Sequence, residues 1–398
     1  MVKMKEYLEG KTKFLSADLD YYSDNVKQPK SSLPVFYNPR MTSNRDLSIL
    51  FLDAFNQQYP VETFCEPLCG SGIRSLRYLN EGHGEYAGIL NDINPKASEI
   101  ANENVEKLGL QNRARVLSDD ARLVLLSESR NTRFDYVDID PFGSPAPFIN
   151  GAIQSLKSKN SLLGITATDM PVLCGVFPRV ALRKYGGLSI KSPFLHEVAV
   201  RLLIGSTYTV AGMNDCAIKP VATLSTDHYV RIWVKVDAEK KTTNKQADNI
   251  GFIHYCSRCM RGWKESILKS DKSNICESCG KRGKTAGPLW IGPLFDSKFM
   301  DEAQSTLNNG VYAFEKRSIK LFELMMEEKD MTDYLYVDIH KLCDIHDFPP
   351  PSMEDIMDTI RQAGNGVSRT HFRPTAIRTD AELDQIVEMI EEINRTRG

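Results

Sequence analysis

Residues 140–143 read Asp-Pro-Phe-Gly directly after the apolar run Asp135-Tyr136-Val137-Asp138-Ile139. An exocyclic amine on a nucleobase is a poor nucleophile because its lone pair is delocalised into the ring. A catalyst must therefore accept hydrogen bonds from both amine protons. The Asp140 carboxylate and the Pro141 carbonyl are two neighbouring acceptors, and the proline ring fixes the turn that aims the carbonyl inward. Phe142 offers a flat face to an extruded base, a contact worth roughly 1–3 kcal/mol per base in other systems. Gly143 lets the base come close. The tetrapeptide is expected to serve methyl transfer to an amine, with Asp140, Pro141 and Phe142 as its catalytic residues. In isolation it equally suits a strand-end turn with Phe142 tucked into the core.

Three earlier strand ends carry the residues of a nucleoside-type cofactor site. The first apolar run, 61–68, leads into Glu66-Pro67-Leu68-Cys69-Gly70-Ser71-Gly72. There Glu66 closes the strand, and Gly70 and Gly72 let the backbone approach a ligand and open the next helix towards it. The second run, 86–90, ends at Asn91-Asp92, and Asp92 lies twenty positions beyond Gly72, a spacing at which a carboxylate accepts two ribose hydroxyl protons. The third, 114–117, precedes Asp119-Asp120-Ala121, where Asp120 and a neighbouring backbone N–H are placed to read adenine. Any one acid alone reads as a helix cap; three at successive strand ends point to S-adenosylmethionine. A nicotinamide dinucleotide shares ribose and adenine and is the rival. It normally brings a third glycine where position 75 is Ser, and a large pyrophosphate-clamping loop.

Cys256-x-x-Cys259 and Cys276-x-x-Cys279 are separated by sixteen residues, the spacing of a four-thiolate zinc ribbon. Four sulfurs leave no open position for a catalytic water, so the zinc expected there is structural. The other five cysteines are scattered and read as buried apolar residues.

Positioning these groups takes alternating strands and helices. Helical spacing begins at Ser43 or Asn44, and a second helix is marked by Asn94 as cap, Pro95 at its first position and Gly109 past its end. The alternation predicts an α/β fold, a doubly wound Rossmann-like methyltransferase sheet, with a fifth strand at 162–166 and a final one at 228–236. A smaller C-terminal α+β domain carries the zinc ribbon. The expected division is an irregular N-terminal arm over 1–43, a methyltransferase domain over 44–240, a lysine-rich linker around 235–249, and a C-terminal domain over 250–398 with the zinc insert at 254–285. Helices are expected over 311–329, 351–363 and from Ala381.

The 398 residues exceed the size at which single cores stop growing. No apolar run approaches a membrane span and the first residues show no signal-type stretch, so a cytoplasmic protein is expected. A net charge of -2 gives no global attraction to polyanions, so any such surface must be local. Two candidates stand out: 256–284, with eight Lys or Arg against three acids and Trp263 among them, and 361–378, with four arginines, His371 and no acid.

Several stretches together resemble the tRNA (guanine-26-N2)-dimethyltransferases, especially the archaeal type: Pro34-Val-Phe-Tyr-Asn-Pro-Arg40, Gly72-Ile-Arg74, Asp140-Pro-Phe-Gly-Ser-Pro145, Thr166-Ala-Thr-Asp169, Leu173-Cys-Gly175, His196-Glu197, Gly287-Pro-Leu-Trp290 and Arg369-Thr-His-Phe372. They run from the N-terminal arm almost to the end. The resemblance implies methylation of the guanine N2 at tRNA position 26, once and then again, and it implies that the C-terminal domain over 250–398 binds tRNA. It also implies that Arg40 and Arg74 contact the methyl donor together with Asp92, Asp120 and Ala121, and that Asp140 accepts the proton. From the residues alone Arg40 reads as a surface residue and Arg74 as part of a helix face. The residue reading also leaves room for a catalytically weak RNA-binding protein on the same fold, or for an amino-methyltransferase acting on another nucleic acid or a protein.

Overall fold

The computed structural model describes residues 2–23, 32–226, 228–269 and 274–397. The chain opens with an antiparallel hairpin, β1 (Met4–Glu9) and β2 (Thr12–Ala17), which corrects the expectation of an irregular arm. Gly10 takes the left-handed conformation that a two-residue hairpin turn requires, at φ 58°. The hairpin escapes an apolar-alternation test because polar Glu9, Thr12 and Ser16 are buried alongside Phe14. Arg45 donates to both Glu9 oxygens (2.6 and 2.5 Å) and Arg77 adds a third bond (3.0 Å). Burial disfavours the Glu9 charge, but these guanidinium groups outweigh it and hold the carboxyl down at about 2. A short helix, α1 (Leu19–Tyr22), follows; Pro29, one of the expected turn formers, lies outside the described residues.

Next come α2 (Thr42–Gln58), β3 (Thr63–Glu66), α3 (Ile73–Glu81), β4 (Ala87–Asn91), α4 (Pro95–Lys107), β5 (Ala114–Leu117), α5 (Ala121–Glu128), β6 (Tyr136–Ile139), α6 (Ala146–Ser155) and β7 (Ser161–Ala167). The five strands from β3 to β7 are parallel. Local chemistry explains the boundaries of α4: the Asn94 side chain accepts from Lys96 N, Pro95 starts the helix, and Gly109 lies beyond its end at φ 69°. After α7 (Met170–Leu173), α8 (Pro178–Tyr185) and α9 (Leu195–Met213), two antiparallel strands, β8 (Cys216–Thr226) and β9 (Tyr229–Ala238), complete a seven-stranded sheet in the order β5-β4-β3-β6-β7-β9-β8. Winding reverses between β3 and β6, which places the ligand crevice at their carboxyl ends.

Where the sequence pattern shows one final strand, the structure has two. Pro220 interrupts β8 at a register shift between Pro220 and Ala222, and an edge strand tolerates the missing donor at such a bulge. The lysine-rich stretch read as a linker is packed. It forms α10 (Lys240–Lys245), and the Gln246 side chain bonds both the N–H and the carbonyl of Ile218 (3.1 and 2.5 Å).

The remaining elements are β10 (Ile250–Tyr255), β11 (Gly262–Ser266), β12 (Lys284–Trp290), α11 (Ser297–Asn309), α12 (Lys316–Glu328), β13 (Val337–Asp338), α13 (Ile339–His346), α14 (Met353–Gln362), β14 (Val367–Arg369), β15 (Ala376–Thr379) and α15 (Leu383–Arg397). The principal core is continuous from Phe14 to Ala376, and a smaller one gathers Ile339, Leu342, Ile356, Ile360, Ile386 and Ile390. The later helices close over the catalytic sheet: Ser318 on α12 donates to buried Asp46 on α2 at 2.6 Å.

Beneath them Glu328 is wholly buried. It accepts from Arg378 Nε (2.5 Å), Thr370 Oγ1 (2.7 Å) and His371 N (2.9 Å), and it also pairs with the His371 ring. Burial opposes its ionisation, yet Arg378 and His371 prevail and hold the carboxyl at about 2. A carboxyl depressed in the folded state stabilises it fully above its ordinary value of 4.5, and that contribution is lost as pH falls through about 2. Glu328→Gln is therefore expected to cost about 3–5 kcal/mol at neutral pH, because it leaves Arg378 without one of its anions. The fall in stability between pH 4.5 and 2 should also become shallower. Urea denaturation across that range reads both effects, and an unchanged slope in the variant would overturn the assignment.

Candidate active site

A cavity of about 600 Å³ opens at the carboxyl ends of β3, β4, β6 and β7. Its walls bring together Arg40, Glu66, Gly70, Arg74, Asp92, Asp140, Pro141 and Phe142, eight of the residues singled out from sequence. Gly72 lies just behind the wall at the start of α3, at φ 81°, where a Cβ would come within 3.3 Å of Ala101 and Leu90. Asp120 and Ala121 do not line the cavity. Ala121 is buried at the start of α5. The Asp120 side chain accepts from the Arg122 backbone (2.8 Å) and guanidinium (3.0 and 2.7 Å). That guanidinium, aided by the Arg122 N–H, holds the Asp120 carboxyl at about 2.

The turn after β3 is pinned to the end of β4. Cys69 N donates to the Asn91 carbonyl and Gly70 N to Asp92 Oδ2, both at 2.8 Å, while Asp92 Oδ1 accepts from Asn94 N at 2.9 Å. Asp92 thus stands at the cavity edge with its orientation set by backbone donors. Ile93 beside it is 64% exposed, an apolar face for a flat ring that charge-based reading missed. Gly70 packs so closely that a Cβ would meet the Phe36 carbonyl at 3.0 Å.

Arg74 is the hub of the site. It is buried, donates to Asn44 Oδ1 (2.7 Å) and Ser48 Oγ (3.2 Å), bonds Asp140, and lies 3.5 Å from Glu66 and 3.7 Å from Asp138. Asp138 belongs to a second centre. Arg231 (2.7 Å), Tyr78 (2.5 Å) and Tyr136 (2.6 Å) all donate to its Oδ2, and against the effect of burial Arg231 and Arg74 hold it at about 2. Glu66 goes the other way. Burial pushes its carboxyl up to about 8 despite the pull of Arg74, with the Asp138 and Asp140 charges adding to the rise.

Phe142 is 59% exposed and meets Phe36 edge to face at 4.5 Å, so the core-packed alternative for the Asp-Pro-Phe-Gly turn is excluded. Gly143, at φ 76°, has open space where a Cβ would be. The turn is locked to the end of β7: Gly143 N donates to Thr168 Oγ1 (2.7 Å) and Thr168 N to the Gly143 carbonyl (2.9 Å). His228, from the β8–β9 turn, also lines the cavity, within 3.3 Å of the Asn38 amide. No single-strand pattern signals it, because its place depends on the antiparallel hairpin.

The four cysteines converge between β10 and β12 with all sulfurs within 4.8 Å of one another, and Cys256 and Cys279 are 3.6 Å apart. Zn–S bonds of about 2.3 Å imply a tetrahedral S–S edge of about 3.8 Å, so the donor set fits zinc. Of the two basic stretches, 361–378 is largely neutralised by acids from other elements, whereas in 256–284 Arg258, Lys269, Lys281, Arg282 and Lys284 stay exposed. Arg378 is wholly buried between Glu197 (2.9 Å) and Glu328, Arg373 pairs with Asp338 (2.8 Å), and Arg361 pairs with Asp358 (2.8 Å). In the zinc insert Arg261 binds Glu382 and Asp384 (3.1 and 2.6 Å). Lys264 turns inward to the Thr332 carbonyl (3.0 Å), and burial holds it well below the ordinary lysine range. Segments free of acids can still be neutralised by acids distant in sequence.

A doubly wound sheet extended by an antiparallel pair, with an acid–proline–aromatic turn beside a nucleoside-type crevice, defines a methyltransferase-type α/β protein. The family model described as N2,N2-dimethylguanosine tRNA methyltransferase matches residues 15–391, and the chain belongs to that family. A Methanosphaera stadtmanae tRNA (guanine(26)-N(2))-dimethyltransferase is 35% identical over 374 residues, covering 94% of this chain and 95% of the relative. The same-named Methanothermobacter thermautotrophicus protein is 37% identical over 358 residues, covering 90% and 92%. The solved structure of Trm1 from Pyrococcus horikoshii with S-adenosyl-L-methionine superposes with a TM-score of 0.82 at 30% identity, covering 97% of this chain and 99% of that one. Among the described residues no helix is long and apolar enough to cross a membrane.

Proposed function

We propose that this protein transfers one or two methyl groups from S-adenosylmethionine to the exocyclic N2 of guanine 26 in tRNA, and that it does so in the cytoplasm, where tRNA is the available substrate. The observation that carries the reading is the joint placement of Asp140 and the exposed Phe142 on the wall of one cavity with Asp92 and Gly70.

The residues present suit the cofactor. Asp92, held by two backbone donors, presents its remaining lone pairs to ribose hydroxyls. Ile93 covers an adenine face, and Arg40 and Arg74 supply positive charge for a carboxylate. Asp120, at the next strand end, borders the same side. When bound, S-adenosylmethionine supplies an electrophilic methyl group on a sulfonium. Phe142 stacks the extruded guanine, Asp140 and the Pro141 carbonyl accept its two amine protons, and Asp140 takes the proton released as the N–C bond forms. Arg74 orients that carboxylate. Cys256, Cys259, Cys276 and Cys279 hold a structural zinc and take no part in the chemistry.

The deciding experiment is incubation of the protein with methyl-labelled donor and transcribed tRNA, followed by digestion and mass spectrometry. Mono- and dimethylated guanosine at position 26 are expected. Label in another base, or none while the donor still binds, would overturn the substrate assignment.

A further inference from the structure

The stretch 170–196 contains Arg179, Arg183, Lys184 and Lys191 and no acid, and it forms α7 and α8 beside the Asp-Pro-Phe-Gly turn. Acid-free segments elsewhere in this chain are neutralised by remote carboxylates, so the partners decide the matter. Lys184 is spent on Asp169 at 3.3 Å. Among the described residues Arg179, Arg183 and Lys191 are exposed, and no carboxylate or other side chain binds them. Interleaved with them are Val176, Phe177, Leu182 and Leu188, all exposed, with Phe177 at 52%. A helix that buries only Ala181 and Tyr185 while presenting Leu182 between two unpaired guanidinium groups is built to meet something.

Phe177 is held outward by a rigid turn. Val176 N and Phe177 N both donate to the Pro171 carbonyl (3.0 and 3.3 Å), and Pro178 starts α8. Gly175 lies at φ 85° with its backbone so close to Ile190 and Lys191 that a Cβ would come within 2.3 Å. Such a preorganised aromatic loses little freedom on contact. The patch is also fastened to the chemistry. Tyr185 on α8 donates to Asp169 Oδ1 at 2.5 Å, and Asp169 follows Thr168, which is locked to Gly143 by two hydrogen bonds.

We infer that this face of α7 and α8 receives the nucleotides flanking the target guanine, with Phe177 stacking on an unpaired base and Arg179 and Arg183 meeting backbone phosphates. The inference rests on the tRNA reading above and names the surface that reading leaves open. A flat apolar ring followed on α8 by two guanidinium groups without a side-chain partner among the described residues matches the two components that recur along single-stranded RNA, base faces and phosphates.

The test uses full-length protein and transcribed tRNA, comparing Phe177→Ala and the double variant Arg179→Gln/Arg183→Gln with wild type for tRNA Kd, its salt dependence, donor affinity and Tm. Phe177→Ala should weaken tRNA binding roughly 5- to 150-fold, the range for loss of one stacked base. The double variant should flatten the log Kd against log salt slope by about 1.4, from about 0.7 per single-strand phosphate. Donor affinity and Tm should hold, and Phe177→Trp should retain tRNA affinity. Wild-type tRNA affinity and salt slope in both the alanine and glutamine variants, with guanine 26 still methylated, would overturn this surface alone. A wild-type protein that neither binds nor methylates tRNA would overturn the functional reading and this inference together.

Discussion

Asp140→Asn is expected to lower kcat for methyl transfer roughly 10²- to 10³-fold, about the loss seen when one preorganised transition-state partner is removed. Asparagine preserves the volume and one oxygen acceptor, but it carries no charge and cannot take up the proton that leaves the amine. The structure indicates why the fold should survive. Arg74 would lose one anion yet keep Asn44 (2.7 Å), Ser48 (3.2 Å) and nearby Asp138 (3.7 Å). Burial pushes the Glu66 carboxyl up to about 8, which weakens it as a counter-ion and leaves Asp138 and Asp140 as the principal anions beside Arg74. The substituted side chain should therefore disturb chemistry more than binding. Phe142 and Asp92 stay in place, so KM for tRNA and the donor Kd should move little while kcat falls. Single-turnover methyl transfer at saturating tRNA, with donor binding by calorimetry, separates the two. A variant within tenfold of wild-type kcat would remove Asp140 from the chemistry.

What was legible in the sequence follows from how local each signal is. The β3–β7 alternation, the Asn94-Pro95…Gly109 helix and the cysteine pairs are each written within a short window, and each stands in the structure where the pattern places it. The Asp-Pro-Phe-Gly turn was legible for the same reason. That its Phe lies at the surface depends on the fold around it, since Phe142 is 59% exposed against Phe36 while the turn is held by Thr168, twenty-five residues beyond Gly143. The failures are non-local. The β1–β2 hairpin hides because its inward residues include Glu9, whose burial depends on Arg45 and Arg77. β8 hides because Pro220 breaks its alternation at a bulge. The 361–378 stretch read as an open cationic face because Glu197 and Glu328, which neutralise Arg378, come from α9 and α12. Charge counting along a segment ignores what folds against it, and that omission conceals two buried ion networks while giving no weight to the α8 arginines, which have no side-chain partner among the described residues.

Removing the metal, or replacing Cys276 with serine, should unfold the two cysteine knuckles, 256–261 and 276–283, locally while leaving β11 and the seven-stranded sheet intact. Among the described residues the two cysteine knuckles have little else to hold them, whereas β11 between them is paired with β10 and tied to the body through Arg261 and Lys264. The knuckles close through Cys256 N to the Arg261 carbonyl and Cys276 N to the Lys281 carbonyl, both 2.9 Å, with Met260 and Gly280 at left-handed φ of 58° and 68°. Trp263 is only part-buried against His254, and Ile275 is 41% exposed. Structural zinc contributes roughly 10–16 kcal/mol in isolated finger peptides, as much as the whole stability of an ordinary domain. Four thiols drawn together without a cation would lose that contribution outright. The base of the insert is anchored differently. Arg201 on α9 donates to the carbonyls of Trp290 (3.3 Å) and Gly292 (2.7 Å), and Gly205 packs so close to Leu289 that a Cβ would lie 3.0 Å from it. Unfolding should therefore stop near β12. Metal analysis should return one zinc per chain. Hydrogen exchange after chelation, or in Cys276→Ser, should lose protection across the two knuckles and keep it in β11 and in β3 to β7, with donor binding retained. Wild-type protection in the knuckles of Cys276→Ser would show that their fold does not depend on the four-thiolate centre.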